Sequence, residues 1–214
     1  MSLLPEIPDE LRDQLAFRAK RELRKRMRSL RGAMPESAIR ERSSQIATRV
    51  LELDAWKRAG TVALFSSMPD EVQCEALITA ARASSKRVAL PVVVDEEPGL
   101  RFRLGWDEAR EYPRAMSAFG IDEPTEESPV VAFEAIDLVL VPALALADNG
   151  QRIGYGRGYY DRTLPLCTQA RWVAVAFDFQ MLAEVPTRAG DVPVHVIVTD
   201  KRVIEVGAAP PDSR

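Results

Sequence analysis

Hydrophobic positions change their period near residue 60. Before it they recur at helical spacing: Leu23, Met27, Leu30 and Met34 stand at i, i+4, i+7 and i+11, the seam of an amphipathic helix. Lys20, Arg24, Arg28 and Arg31 form a basic row beside it with the same spacing. Pro35 opens a second helix, in which Ile39, Ile46, Val50 and Leu53 supply the buried side. After residue 60, short apolar and β-branched runs take over. Residues 61–65, 87–94, 137–142, 172–177 and 194–199 read as buried strands, and 203–206 as one more. Residues 100–106 alternate in character and read as an edge strand. Between these runs, the alanine-rich residues 74–83 read as a helix, and residues 159–164 begin another. Residues 107–129, with Pro113, Gly120, Pro124 and Pro129, are loop-rich.

Strands alternating with helices predict an α/β fold: a single three-layer domain with a mostly parallel central sheet covered by helices on both faces. The expected domain covers residues 18–206 and includes the basic helix. An acidic, partly helical extension over residues 1–17 precedes it, and a disordered tail over 207–214 follows. In such sheets ligands bind beyond the carboxyl ends of the strands, so the loops after Phe65, Pro91, Val141 and Phe177 are candidates for one cleft.

Composition narrows the function classes. A chain of 214 residues with 46% hydrophobic content supports one core. A net charge of −3 excludes a nucleic-acid polycation. Two cysteines, Cys74 and Cys167, lie far apart without a C-x-x-C, which argues against a zinc site or disulfide scaffold and fits a reducing, cytoplasmic setting. No signal-peptide pattern is visible, and the longest apolar run, residues 138–147, contains Pro142 and is too short to cross a bilayer, so no membrane partner is expected.

The chemistry concentrates in residues 150–162, GQRIGYGRGYYDR. Four of the 11 glycines fall within residues 150–158. Successive bare backbone N–H groups form a concavity that binds anions. Arg152, Arg157 and Arg162 add positive charge, and Asp161 offers a carboxylate to a hard cation beside phosphates. The spacing matches neither a Walker A loop nor a dinucleotide fingerprint. These residues point to a polyphosphate with a metal ion. The basic row of residues 18–31, with eight cations and one acid, has three readings: a solvated helix face, an RNA contact, or a grip on the nucleotide of the glycine loop. No base-stacking aromatics stand beside that helix, which weighs against RNA.

From Lys20 to about Thr199 the chain resembles the 5-formyltetrahydrofolate cyclo-ligase family, also called methenyltetrahydrofolate synthetases. The matching residues are a K-x-x-L-R helix (Lys20, Leu23, Arg24), an acidic segment ending at Cys74, a K-x-V-x-L-P strand (Lys86, Val88, Leu90, Pro91), Trp106, and F-G-I-x-E-P from Phe119 to Pro124. The most specific piece is G-x-R-x-G-x-G-x-G-Y-Y-D-R, matched from Gly150 to Arg162; F-D-x-Q (Phe177, Asp178, Gln180) and a strand end at residues 198–200 follow. Departures are Cys74 for a threonine, residues 143–147 for G-x-x-F-D, and Gly190-Asp191 for His-Asp.

The resemblance implies an ATP-dependent ligase that cyclises 5-formyltetrahydrofolate to 5,10-methenyltetrahydrofolate, releasing ADP and phosphate, with Mg²⁺ as cofactor. It implies small-molecule partners and a monomer or homodimer. Carried onto this sequence, it makes Lys20, Arg24, Arg152, Gly154, Gly156, Arg157, Gly158, Tyr159 and Tyr160 the ATP-binding residues, with Arg157 and Arg152 beside the transferring phosphate. Asp161 and Asp191 become the metal ligands. Ser66, Met68, Glu71, Trp106 and Tyr159 become folate contacts. The departures leave open a paralogue that uses the same ATP site on another small acid or amide. His195, in an apolar strand, reads as structural.

Overall fold

The computed structural model describes residues 8–96, 99–117 and 120–207. Helix α1 (Asp9–Gly32) is followed by α2 (Glu36–Glu52) and α3 (Asp54–Arg58). Strand β1 (Thr61–Ala63), helix α4 (Glu75–Ala83) and strands β2 (Arg87–Val93) and β3 (Leu100–Trp106) come next. Then follow β4 (Arg114–Met116), β5 (Asp122–Pro124), β6 (Val130–Val131), β7 (Leu138–Pro142), β8 (Ala145–Ala147) and β9 (Arg152–Ile153). Helix α5 (Tyr159–Thr163) and strands β10 (Arg171–Val175), β11 (Met181–Leu182), β12 (Val196–Val198) and β13 (Val203–Glu205) complete the described chain.

The main sheet has eight strands in the order β13-β12-β10-β7-β1-β2-β3-β6. Its five central strands, β12 to β2, run parallel. Antiparallel pairings add β13 on one side and β3 and β6 on the other, so the sheet is mixed. β3 is therefore not the edge strand expected from its alternation, because Phe102 and Arg103 pair with Val131 and Val130. Val62, Leu138, Leu140 and Val173 are fully buried, as central strands covered on both faces must be.

One face packs against α2, α3 and α4 through Ile46, Val50, Trp56 and Leu77. The opposite face packs Val139, Val141, Ala174 and Ile197 against Leu164, Cys167, Ile136 and Leu146. A three-stranded sheet, β11-β8-β9, lies outside the main one, and Leu144, Ala145 and Ile153 pack it under α1. These strands are too short to show a hydrophobic period, and the sequence pattern did not predict them; nor did it predict the β4–β5 hairpin.

Helix α1 departs from its predicted seam. Met27 is buried and Leu23 half-buried, but Leu30 is 46% exposed. Lys20 (5% exposed) and Arg31 (3% exposed) are inward instead, with Met27 between them. The inner stripe is thus Lys20, Arg24, Met27 and Arg31, and most of the basic row faces protein. Residues 1–7, Phe119 and residues 208–214, where the expected tail lies, fall outside the described residues.

Candidate active site

A cavity of about 560 Å³ opens between α1, the loops at the carboxyl ends of β1, β2 and β7, and the glycine loop. Phe65, Pro91 and Pro142 bring in three of the four strand ends expected from the sequence; the loop after Phe177 is not in the lining, and residues 188–191 take its place. Every residue to which the resemblance gave a role in binding ATP, metal or folate lines this one space, except Trp106; Arg162, the third arginine of the glycine run, is not in the lining. Trp106 is half-buried against the helix-covered core on the α2 and α4 side.

The glycine loop connects β9 to α5. Gly156 has φ 103°, a region that only glycine enters without strain. A Cβ there would stand 3.3 Å from the Arg24 guanidinium. Gly154 is different: its φ is ordinary, and a Cβ there would meet only Arg152 Nη1, at 3.9 Å. The bare backbone at Gly154 is therefore not required by local packing.

Around this loop lies a group of cations. Arg24 Nε donates to the Gly154 carbonyl at 2.9 Å. Burial first, then the neighbouring Arg28, lowers the Arg24 pKa, against the pull of Asp191 and Asp161. Arg152, with its side chain 3% exposed, donates from Nη2 to Asp161 Oδ1 at 2.9 Å, while its buried Nε has no partner among the described residues. The Arg157 side chain is exposed at the cavity and makes no hydrogen bond or ion pair with any described residue. Lys20 pairs with Asp191, which also accepts the Arg188 backbone N–H at 2.6 Å. Asp161 also accepts the Val192 N–H at 3.2 Å. Asp161 and Asp191 line the cavity, yet no group of three or more His, Cys, Asp or Glu gathers among the described residues.

The second group is acidic and apolar. Glu71, 4% exposed, accepts the Met68 N–H at 2.9 Å on Oε2 and the Tyr155 hydroxyl on Oε1. Arg31 holds Asp70 with two bonds, at 2.9 and 3.1 Å, and Nη2 donates to the Tyr155 hydroxyl at 2.5 Å. Burial pushes the Glu71 carboxyl up, against the pull of Tyr155, the Met68 N–H and Arg31. Glu123 is a second carboxylate of the lining, raised first by burial and opposed by bonds from Val93 and Ser117. Val93, Leu100 and Ile121 supply apolar wall, and Tyr159 packs against Gly99. Tyr160 is deep in the same wall, its phenol pushed up by burial and by Glu71.

Reasoning from the sequence passed over Tyr155, Glu123, Arg188 and Phe17 as site residues. Tyr155 stands where the glycine pattern leaves any residue, and Glu123 lies inside a matched segment but carries no signal of its own. Cys74, Leu146 and Ala147, the departures that motivated a different substrate, are buried outside the cavity lining. His195 has the structural role expected of it: its Nδ1 accepts the Trp172 N–H at 3.1 Å and its ring stacks on the indole at 4.3 Å.

The model of the 5-formyltetrahydrofolate cyclo-ligase family matches residues 16–200. The 5-formyltetrahydrofolate cyclo-ligase of Escherichia coli K12 is 31% identical over 182 residues, which cover 84% of this chain and 99% of that protein. The enzyme of the same name from Mycolicibacterium smegmatis is 33% identical over 190 residues, covering 87% and 96%. The solution structure of 5,10-methenyltetrahydrofolate synthetase from Aquifex aeolicus superposes with a TM-score of 0.77 at 31% identity, covering 91% of this chain and 96% of that one. A pattern spanning the whole α/β domain, carried by relatives aligned over nearly their full length, places the chain: it belongs to the 5-formyltetrahydrofolate cyclo-ligase family.

Proposed function

We propose that this protein uses ATP to cyclise 5-formyltetrahydrofolate to 5,10-methenyltetrahydrofolate, releasing ADP and phosphate. The observation that carries this is the pairing, in one cavity, of a cationic glycine loop with a carboxylate-bearing apolar wall. The first suits a triphosphate; the second suits a flat heterocycle edged with N–H donors.

The chemistry explains the division. A formamide oxygen is a poor leaving group. Attack of that oxygen on the γ-phosphorus forms a new P–O bond and breaks the bond to ADP, leaving an iminium phosphate. N10 then attacks the formyl carbon, its proton passes to solvent, and phosphate departs as the ring closes. Phosphoryl transfer of this kind needs positioning and charge neutralisation more than a protein nucleophile. The N–H groups of the glycine loop, with Lys20, Arg24 and Arg152, would bind the phosphates. The unclaimed Arg157 would follow the transferring group. Glu71 would accept from the pterin, with Ser66, Met68 and Tyr159 along the folate.

Asp161 and Asp191 fit a Mg²⁺ site in which nucleotide oxygens and water complete the shell, because this ion commonly takes only one or two protein carboxylates. When bound, it would neutralise phosphate charge. Lys20 and Arg152 hold these carboxylates in the meantime. Among the described residues no helix is long and apolar enough to cross a membrane.

Mixing protein, Mg²⁺, ATP and 5-formyltetrahydrofolate should raise the absorbance of the methenyl product. A flat trace from folded protein rejects the proposal. Arg157→Ala should lose turnover with an unchanged melting temperature.

A further inference from the structure

Tyr155 is the one residue of the glycine loop whose side chain reaches the acidic wall. Its ring lies 5.4 Å from the Arg28 guanidinium and 5.5 Å from that of Arg31. Its backbone carbonyl accepts Arg28 Nη2 at 3.4 Å. Its hydroxyl accepts from Arg31 and donates to Glu71. A single side chain thus joins the basic helix, the glycine loop and the carboxylate.

The hydroxyl bridges the two groups, accepting from Arg31 Nη2 and donating to Glu71 Oε1. Arg31 Nη1 is 3.5 Å from Glu71 Oε1, Nε holds Asp70, and Nη2 is shared between Asp70 and the Tyr155 hydroxyl. Phenylalanine at position 155 keeps the ring but releases both bonds.

We infer that, given the cyclisation proposed above, Tyr155 is a positioning residue that fixes the Glu71 carboxylate on the cavity wall where it would meet the folate. The groups facing Glu71 are Arg31 from α1, Asp70 and the Met68 N–H from its own loop, and Tyr155 from the glycine loop; its charge is also felt at Tyr160 and Cys74. Arg31 and the two hydrogen bonds favour the ionised form, and Asp70 opposes it. Loss of the Tyr155 bond therefore moves the Glu71 titration to higher pH.

The test compares wild type, Tyr155→Phe, Glu71→Gln and the double variant. Loss of one hydrogen bond to a charged group predicts that Tyr155→Phe raises KM for 5-formyltetrahydrofolate about 10- to 100-fold. KM for ATP should stay within about twofold, since the loop backbone is intact. The acid limb of kcat/KM for folate should move to higher pH, and Tyr155→Phe should add nothing in the Glu71→Gln background. Wild-type turnover with an unmoved acid limb and folate KM in Tyr155→Phe overturns the inference alone. No methenyl product from the wild type removes the cyclisation itself. Should Tyr155→Phe fail to fold, 3,5-difluorotyrosine at position 155, a stronger donor of nearly the same shape, must move the acid limb to lower pH; a fixed limb is the refuting result.

Discussion

Two neighbouring glycines should separate folding from ligand binding. At Gly156 an alanine is strained twice, by φ 103° and by the Arg24 guanidinium 3.3 Å from the new methyl. A residue held in a disfavoured backbone region costs about 1–3 kcal/mol. For a chain of this size each kcal/mol lowers the melting temperature by about 2–4 °C, so Gly156→Ala should melt about 2–12 °C lower. Gly154 has an ordinary φ and its methyl would have 3.9 Å of clearance, so Gly154→Ala should melt at or slightly above the parent temperature. If phosphate oxygens approach the bare loop backbone, that same methyl blocks a charge-assisted bond worth about 1.5–3 kcal/mol, raising KM for ATP about 10- to 100-fold. Thermal melts and methenyl absorbance at varied ATP measure both quantities. A Gly154→Ala protein with parental ATP affinity would refute the approach of the nucleotide to this loop.

The remaining predictions concern protons and thiols. Burial first, then Arg171, depresses the His195 pKa below its ordinary 6.5, so the unfolded chain takes up the proton first. The stability due to His195 is present above about pH 6.5 and lost as pH falls through its lowered folded value; melts across this window should show a slope that His195→Gln flattens, and equal slopes would contradict the assignment. Glu123→Gln should raise the folate KM about tenfold and leave the ATP KM unchanged, whereas equal rises would mean a general distortion of the cavity. The thiols of Cys74 and Cys167, pushed up to about 12 by burial, should resist iodoacetamide until the protein unfolds, as intact mass will report; fast labelling of native protein would overturn it.

The cationic glycine loop of the cavity was legible because its residues are contiguous: a run of glycines, arginines and an aspartate falls within 13 positions, 150–162. The central strands were legible for a related reason, since a strand covered on both faces must be apolar throughout. Helix α1 was misread at its seam. The rule that apolar residues face inward fails where partners are supplied from afar: Arg31 is buried because Asp70, Glu71 and Tyr155 meet it, and Leu30 is left outside. Tyr155 and Arg188 depend on such long-range meetings and leave no local trace. The β11-β8-β9 sheet and the β4–β5 pair were hidden for another reason, that two- and three-residue strands carry no measurable period.

The Lys20–Asp191 pair spans 171 positions, nearly the length of the domain. The pocket is thus closed by residues made early in the domain and residues made late in it. A chain still being synthesised cannot complete this cavity until the segment around position 191 has left the ribosome. Fragments truncated before that point lose β12 and β13 together with Asp191 and should be inert.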